Sequence, residues 1–182
     1  MKSLLVLLAA IPALAFAHDV RQQAPHVHGQ AEVQVGVDAG SIEVRVQAPG
    51  MGILAFERPP TTDAEAAQLK RAISVLEGGK WLALPPGAGC ALTSRQVKAE
   101  GFSSVATAHH EHDGQGHEGH HHAGFEANLQ FQCRNASKLT ELDVLLGVQF
   151  PSLHKTVVES ATAAGQDRVE LQGKQQRVEL KR

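Results

Sequence analysis

The chain has 182 residues, of which 42% are hydrophobic and 4% aromatic, and its net charge is −2. Nucleic acid is excluded as a partner, because the Lys and Arg residues form no basic stripe and few aromatic side chains are present to stack on bases. The length fits one domain with a buried core.

The first 17 residues predict a cleaved signal peptide. Lys2 supplies a positive start, residues 4–11 are apolar, and residues 15–17 read Ala-Phe-Ala, a typical cleavage site. The apolar stretch is shorter than the roughly 18 to 20 residues that span a bilayer. We therefore expect residues 1–17 to be removed on export, and residues 18–182 to form a single domain with no membrane span.

The start of this domain predicts an antiparallel β-hairpin. Residues 27–37 alternate apolar and polar side chains with the period of a half-buried strand, and residues 42–47 do the same. Residues 38–40, Asp-Ala-Gly, provide the turn between them, and Pro49 followed by Gly50 ends the second strand.

Residues 61–79 predict a helix. Thr62 or Asp63 can cap its start, apolar residues follow at helical spacing, and Gly78 with Gly79 ends it.

A second hairpin is predicted around a long polar insert. Residues 90–98 and 125–133 form its two strands, and the insert at about 106–124 lies at the hairpin tip, where we expect disorder. Cys90 and Cys133 bracket it and are the only cysteines. In an oxidising compartment such a pair forms a disulfide more often than it stays free; the alternative, two metal-binding thiolates, lacks the usual Cys-x-x-Cys spacing.

The C-terminal part of the chain predicts further strands. Residues 142–150 form a buried strand that ends at Pro151, and short strands are expected at 156–160, 168–171 and 176–180. Because no regular alternation of strands and helices occurs, we predict an α+β fold that is mostly antiparallel β with at least one helix and the disordered His-rich loop at a hairpin tip.

The polar insert is rich in metal ligands. Seven histidines and three carboxylates fall within 14 residues, and no Lys or Arg occurs between Lys98 and Arg134 to repel a cation. Imidazole nitrogen binds Zn²⁺, Ni²⁺ and Cu²⁺, and carboxylate oxygen can complete the coordination shell. The candidate ligands are His109, His110, Glu111, His112, Asp113, His117, Glu118, His120, His121 and His122.

The geometry of the insert is loose, because three glycines oppose a stable helix that would fix the ligand directions. We expect several exchangeable binding modes of moderate affinity, with release of protons on binding. The alternative is a solubilising linker that is indifferent to metal.

A second candidate site is formed by His26 and His28. Residues i and i+2 of a strand point to one face, so the two imidazoles can bind one ion, although zinc normally takes four ligands and others must come from elsewhere. Two solvated histidines are the alternative. Glu57 can serve as a ligand or as an ion-pair partner of Arg58, and His154 is interpreted as a surface histidine.

A copper-binding amino terminus is a further alternative. If cleavage precedes His18, its α-amine and imidazole can chelate Cu²⁺ together, but the following residues add no ligand pattern that supports such a site.

Several motifs together resemble a known family. They are His26-Val27-His28-Gly29, residues 31–35, residues 52–60, residues 90–92, the His-rich insert, residues 131–133 and Phe150-Pro151. In these motifs the chain is similar to the ZrgA-like periplasmic zinc-binding proteins over nearly all of its mature length. The resemblance implies a non-enzymatic accessory of high-affinity zinc uptake in the Gram-negative periplasm, beside an ABC importer and its solute-binding protein.

The chain departs from this family at one position. Members often carry a His after the Phe-Glu pair, whereas this chain has Arg58, which stays protonated and cannot bind metal. The resemblance therefore carries over His26 and His28 as ligands and the insert histidines as auxiliary ones. Two other functions remain open: a copper or zinc metalloenzyme, although Glu57 is the only suggestion of a positioned acid or base, and a structural envelope protein with an incidental His tract.

Overall fold

The computed structural model describes residues 27–103 and 123–181. The predicted signal peptide, His26 and nearly all of the predicted insert, including its ten candidate ligands, lie outside the described residues.

Nine strands occur in this part of the chain. They are β1 (Gln30–Asp38), β2 (Ser41–Pro49), β3 (Leu82–Ala83), β4 (Cys90–Glu100), β5 (Gly124–Cys133), β6 (Glu141–Val144), β7 (Lys155–Thr162), β8 (Gly165–Gln172) and β9 (Arg177–Glu179). The helices are α1 (Gly50–Leu54), α2 (Asp63–Gly78) and α3 (Leu146–Gln149).

The strands form two sheets. The larger has six strands in the order β4-β5-β2-β1-β7-β8, and the smaller has three in the order β3-β6-β9. All neighbours are antiparallel except β1 and β7, which are parallel. The prediction of an α+β fold that is mostly antiparallel is therefore confirmed. Within residues 27–103 and 123–181, no helix combines the length and apolar character needed to cross a bilayer.

The first predicted hairpin is confirmed as β1 and β2. Ala39 and Gly40 form its turn with φ values of 45° and 91°, which matches the type I′ turns that suit the twist of a hairpin. The strand prediction began too early, since residues 27–29 precede β1.

The predicted helix is confirmed as α2. The side chain of Thr62 accepts a hydrogen bond from the backbone N of Glu65, so Thr62 rather than Asp63 is the N-cap. Gly79 ends the helix in the left-handed conformation, with φ 65°, as expected for a glycine at this position.

The second predicted hairpin is confirmed as β4 and β5. Cys90 is directly opposite Cys133 in the strand register, and the two form the predicted disulfide. Glu100 pairs with Gly124 at the other end of the hairpin, next to the segment that carries the insert.

The prediction of one strand over residues 142–150 is wrong in its second half. Glu141–Val144 is strand β6, but Leu146–Gln149 is helix α3. A short apolar run is compatible with a buried strand or a buried helix, so periodicity could not separate them. The helix brings Gly147 so close to Gly173 O that a side chain would not fit.

One face of the six-stranded sheet forms the core. Helix α2 packs on this face through Ala72 and Leu76, and the buried Trp81 donates a hydrogen bond from Nε1 to Leu76 O (3.0 Å). Residues of the central strands that point inward are buried, and those between them are polar. The inward residues are Ala31, Val33, Val35, Ile42, Val44, Val46, Phe125, Ala127 and Leu129.

Candidate metal centre

The base of the insert is closely packed against the end of β2. Gly50 N donates a hydrogen bond to Ala123 O (2.8 Å), which joins the first residue of α1 to the C-terminal end of the predicted insert. A Cβ on Gly101 would lie 2.7 Å from Ala123 Cα, so only glycine permits this approach of the two ends of the insert. The structure therefore fixes where the insert leaves and rejoins the fold.

Three aromatic rings support the same region. The Phe56 and Phe102 rings meet edge to face with centroids 6.1 Å apart, and the Phe102 and Phe125 centroids are 5.0 Å apart. Phe102 precedes the insert, Phe125 follows it, and Phe56 lies in the segment after α1. This cluster holds residue 57 beside the base of the insert, because Phe56 is its immediate neighbour.

Glu57 and His28 form a polar pair at this end of the fold. His28 Nε2 lies 3.4 Å from Glu57 Oε2, and the other carboxylate oxygen, Oε1, accepts a hydrogen bond from Met51 N (3.2 Å). The His28 side chain is 66% exposed and the Glu57 side chain 14% exposed. The carboxylate is thus anchored by the backbone of α1, while the imidazole faces solvent.

This spacing fits a shared metal ion. Two donor atoms about 2.1 Å from a tetrahedral zinc ion lie about 3.4 Å apart. Imidazole nitrogen and carboxylate oxygen are both zinc ligands, and the second carboxylate oxygen is hydrogen-bonded, as is usual for a ligand held in place by the protein. The His28–Glu57 pair can therefore supply two ligands without rearrangement of the backbone.

Arg58 does not compete for this site. Its guanidinium forms two hydrogen bonds to the carboxylate of Glu65, at 2.9 and 2.7 Å, and lies 5.3 Å from the centre of the Phe56 ring. Hydrogen bonding to Glu65 raises the pKa of Arg58, so the side chain stays cationic. Arg58 pairs with Glu65, not with Glu57 as one interpretation of the sequence suggested.

The remaining candidate residues are only partly placed. His154 is exposed and lies just before β7, with its backbone N bonded to Gly29 O (2.8 Å). Among residues 27–103 and 123–181, no group of three His, Cys, Asp or Glu side chains is close enough to hold a metal ion. Cys90 and Cys133 are joined to each other, which excludes the thiolate alternative.

A larger hollow opens elsewhere, on the polar outer face of the six-stranded sheet. Its volume is about 940 Å³, and its charged lining residues are Arg45, Arg168, Glu43, Glu159 and Asp167. Arg45 Nε bonds Asn128 Oδ1 (3.0 Å) rather than a carboxylate. Arg168 Nε lies 3.8 Å from Glu159 Oε1, and no histidine is among the described residues that line the hollow. The hollow therefore offers zinc a poorer set of ligands than the His28–Glu57 pair.

Comparison with known proteins assigns the chain to a family. Residues 25–180 match the ZrgA family zinc uptake protein. The chain belongs to this family. No curated protein matches it. As a ZrgA family member it is related to proteins of zinc uptake, and the resemblance found in the sequence motifs is confirmed over nearly the whole of the predicted mature chain.

The sequence predicted His28 as a candidate ligand and left the role of Glu57 open. His28 lies before β1 and Glu57 lies after α1, so the contact between them joins residues that are distant in the sequence. No pattern within either segment predicts such a contact. Gly50 and Gly101, which shape the insert base of this ZrgA family member, were also missed, because their close approach to Ala123 depends on tertiary packing.

Proposed function

We propose that this protein is a non-enzymatic periplasmic zinc-binding protein that captures zinc for high-affinity uptake. The observation that carries the proposal is the 3.4 Å separation of His28 Nε2 and Glu57 Oε2, which fits two ligands of one zinc ion. Membership of a zinc uptake family supports zinc over Ni²⁺ and Cu²⁺, to which imidazole also binds.

The insert adds a second class of site in this proposal. Its seven histidines and Glu111, Asp113 and Glu118 collect metal with moderate affinity and in several arrangements. Ala123, at the end of the insert, is bonded to Gly50 at the start of α1, next to the backbone that anchors Glu57. Ions collected by the insert are therefore delivered near the His28–Glu57 pair, to which His26 adds a further ligand.

The zinc is then passed to a partner. A site with protein ligands and an open coordination position exchanges metal more readily than a closed structural site. The exposed His28 leaves the ion accessible to ligands of the zinc ABC importer or its solute-binding protein. Export to the periplasm is supported by the predicted signal peptide and by the disulfide, which is typical of an oxidising compartment.

Zinc competition titration of the mature protein tests this function. Wild type should show a tight and a weak class of site at neutral pH. His26→Ala/His28→Ala and Glu57→Gln should each weaken the tight class by about tenfold or more, since each removes a ligand. Glu43→Gln, which changes an exposed carboxylate on the outer sheet face, is the matched control and should bind like wild type. An unchanged tight class in the double histidine variant would show that the principal site lies elsewhere.

A further inference from the structure

His154 is held beside the residue that follows His28. Gly29 O accepts hydrogen bonds from His154 N (2.8 Å) and from Lys155 N (3.1 Å). The next residues, Gln30 and Lys155, are the first pair of the parallel β1–β7 ladder. These backbone hydrogen bonds therefore hold His154 beside Gly29, the residue that precedes β1.

The ring of His154 packs against Gly29. A Cβ placed on Gly29 would lie 2.9 Å from Cδ2 and 3.7 Å from Cγ of the His154 ring. Gly29 also has φ +73°, a conformation that L side chains rarely adopt. The glycine after His28 thus makes room for a second imidazole next to the first histidine.

Helix α1 also packs against the backbone next to His28 and His154. A Cβ on Gly52 would lie 2.6 Å from Leu153 Cδ2 and 3.9 Å from Gly29 Cα. The helix therefore packs against the residues next to both histidines, and its Met51 N bonds the Glu57 carboxylate. Three side chains of residue types that can bind metal, those of His28, Glu57 and His154, thus come from three segments whose backbones pack together.

We propose that His154 is a further ligand of the zinc ion bound at the His28–Glu57 pair. The inference rests on the proposed function. Within the described residues His28, Glu57 and His154 are not close enough together to hold a metal ion as they stand, so the proposal requires the exposed side chain of His154 to rotate toward the pair. Such rotamer changes take picoseconds to nanoseconds and need no movement of the backbone.

The resulting ligand set has a clear chemical meaning. Among the described residues the ligands are then two imidazoles and one carboxylate, a three-ligand set of the kind found in zinc sites that exchange their fourth ligand. The ligands come from the entry of β1, the segment after α1 and the entry of β7, so the site depends on the tertiary fold. The sequence led us to interpret His154 as a surface histidine. It could not indicate that His154 lies near the segments that carry His28 and Glu57.

Zinc affinity of the full mature chain tests the inference. His154→Gln, which keeps a polar side chain but removes the imidazole ligand, should weaken the tight class by about tenfold or more. His154→Asp should restore much of the affinity, because a carboxylate can bind zinc. Ser152→Ala, in the same turn, is the matched control and should stay within twofold of wild type.

A second measurement uses the unsubstituted protein. With one equivalent of zinc, the imidazole ¹⁵N resonances of His154 should shift in a long-range ¹H–¹⁵N spectrum, assigned by comparison with His154→Gln. Unshifted resonances, or tight binding by His154→Gln equal to that of wild type, would overturn the inference and leave the proposed function standing. Absence of a tight class in wild type would overturn both.

Discussion

The two ends of the β4–β5 hairpin are stabilised by different kinds of interaction, one covalent and the other noncovalent. At one end a disulfide joins Cys90 to the directly opposite Cys133. At the other end, glycine contacts, a backbone hydrogen bond from Gly50 to Ala123 and packed phenylalanine rings hold the base of the insert beside Glu57. The disulfide thus lies away from the candidate metal ligands, and the end of the hairpin that we propose exchanges metal carries no cross-link.

The largest expected effect comes from removing the cross-link. Cys90→Ser/Cys133→Ser should lower the free energy of unfolding by about 3 to 4 kcal/mol, because the disulfide closes a long loop in the unfolded chain. Zinc affinity of the tight class should change little, since the cysteines lie at the opposite end of the hairpin. Urea unfolding and zinc titration of the same sample measure both quantities.

Reductant provides the control for this prediction. It should destabilise wild type and leave the double serine variant unchanged. Equal loss of stability and of zinc affinity in the variant would contradict the separation of the two ends.

The next largest effect on stability is expected at the end of the β4–β5 hairpin that lies next to the insert. A Cβ on Gly50 would lie 2.7 Å from Phe56 O and 3.0 Å from Ala123 O, so Gly50→Ala must displace backbone. We expect a loss of about 1 to 3 kcal/mol in the free energy of unfolding, as for other overpacked sites. Zinc affinity should fall as well, because the displaced segment carries Glu57.

Gly78→Ala is the matched control for this change. Gly78 ends α2, and a Cβ there meets nothing within 4 Å. The substitution should stabilise the protein by about 0.4 to 1 kcal/mol and leave zinc binding alone. Thermal unfolding that ranks the two variants in the opposite order would contradict the packing described at the insert base.

The smallest effect is expected at the start of α2. The hydrogen bonds that Glu65 accepts from Arg58 and from Thr61 N lower the pKa of Glu65 from 4.5 to about 2. Because the folded pKa is depressed, the stabilisation is present above pH 4.5 and is lost as the pH falls toward 2. Between pH 4.5 and about 2, the free energy of unfolding should therefore fall more for wild type than for Glu65→Gln. The difference should be small because the Arg58–Glu65 pair is exposed.

Urea unfolding at several pH values checks this. Arg58→Gln should lose an amount of stability between those of wild type and Glu65→Gln, because Glu65 still accepts the hydrogen bond from Thr61 N. Identical acid profiles for wild type and both variants would show that the ion pair contributes nothing to stability.

The sequence predicted those features that follow from local pattern. The β1–β2 hairpin, the capped helix α2 and the β4–β5 pairing each show a regular spacing or a turn or cap residue in the sequence. The disulfide between Cys90 and Cys133 was predicted from the expected export of the chain. Helix α3 was missed because its four residues are too few to show a helical period. The approach of Glu57 to His28 was not predicted, since it depends on how α1 packs against the entry of β1.

The central claim is that a folded zinc site exists apart from the His-rich insert. Deletion of residues 109–122 from the mature chain, followed by titration calorimetry with zinc at neutral pH, tests it most directly. We predict that the weak class of zinc sites disappears, while the tight class keeps its affinity and the protein keeps its unfolding temperature. Loss of all zinc binding in a folded deletion variant would contradict the account and would assign zinc capture to the insert alone.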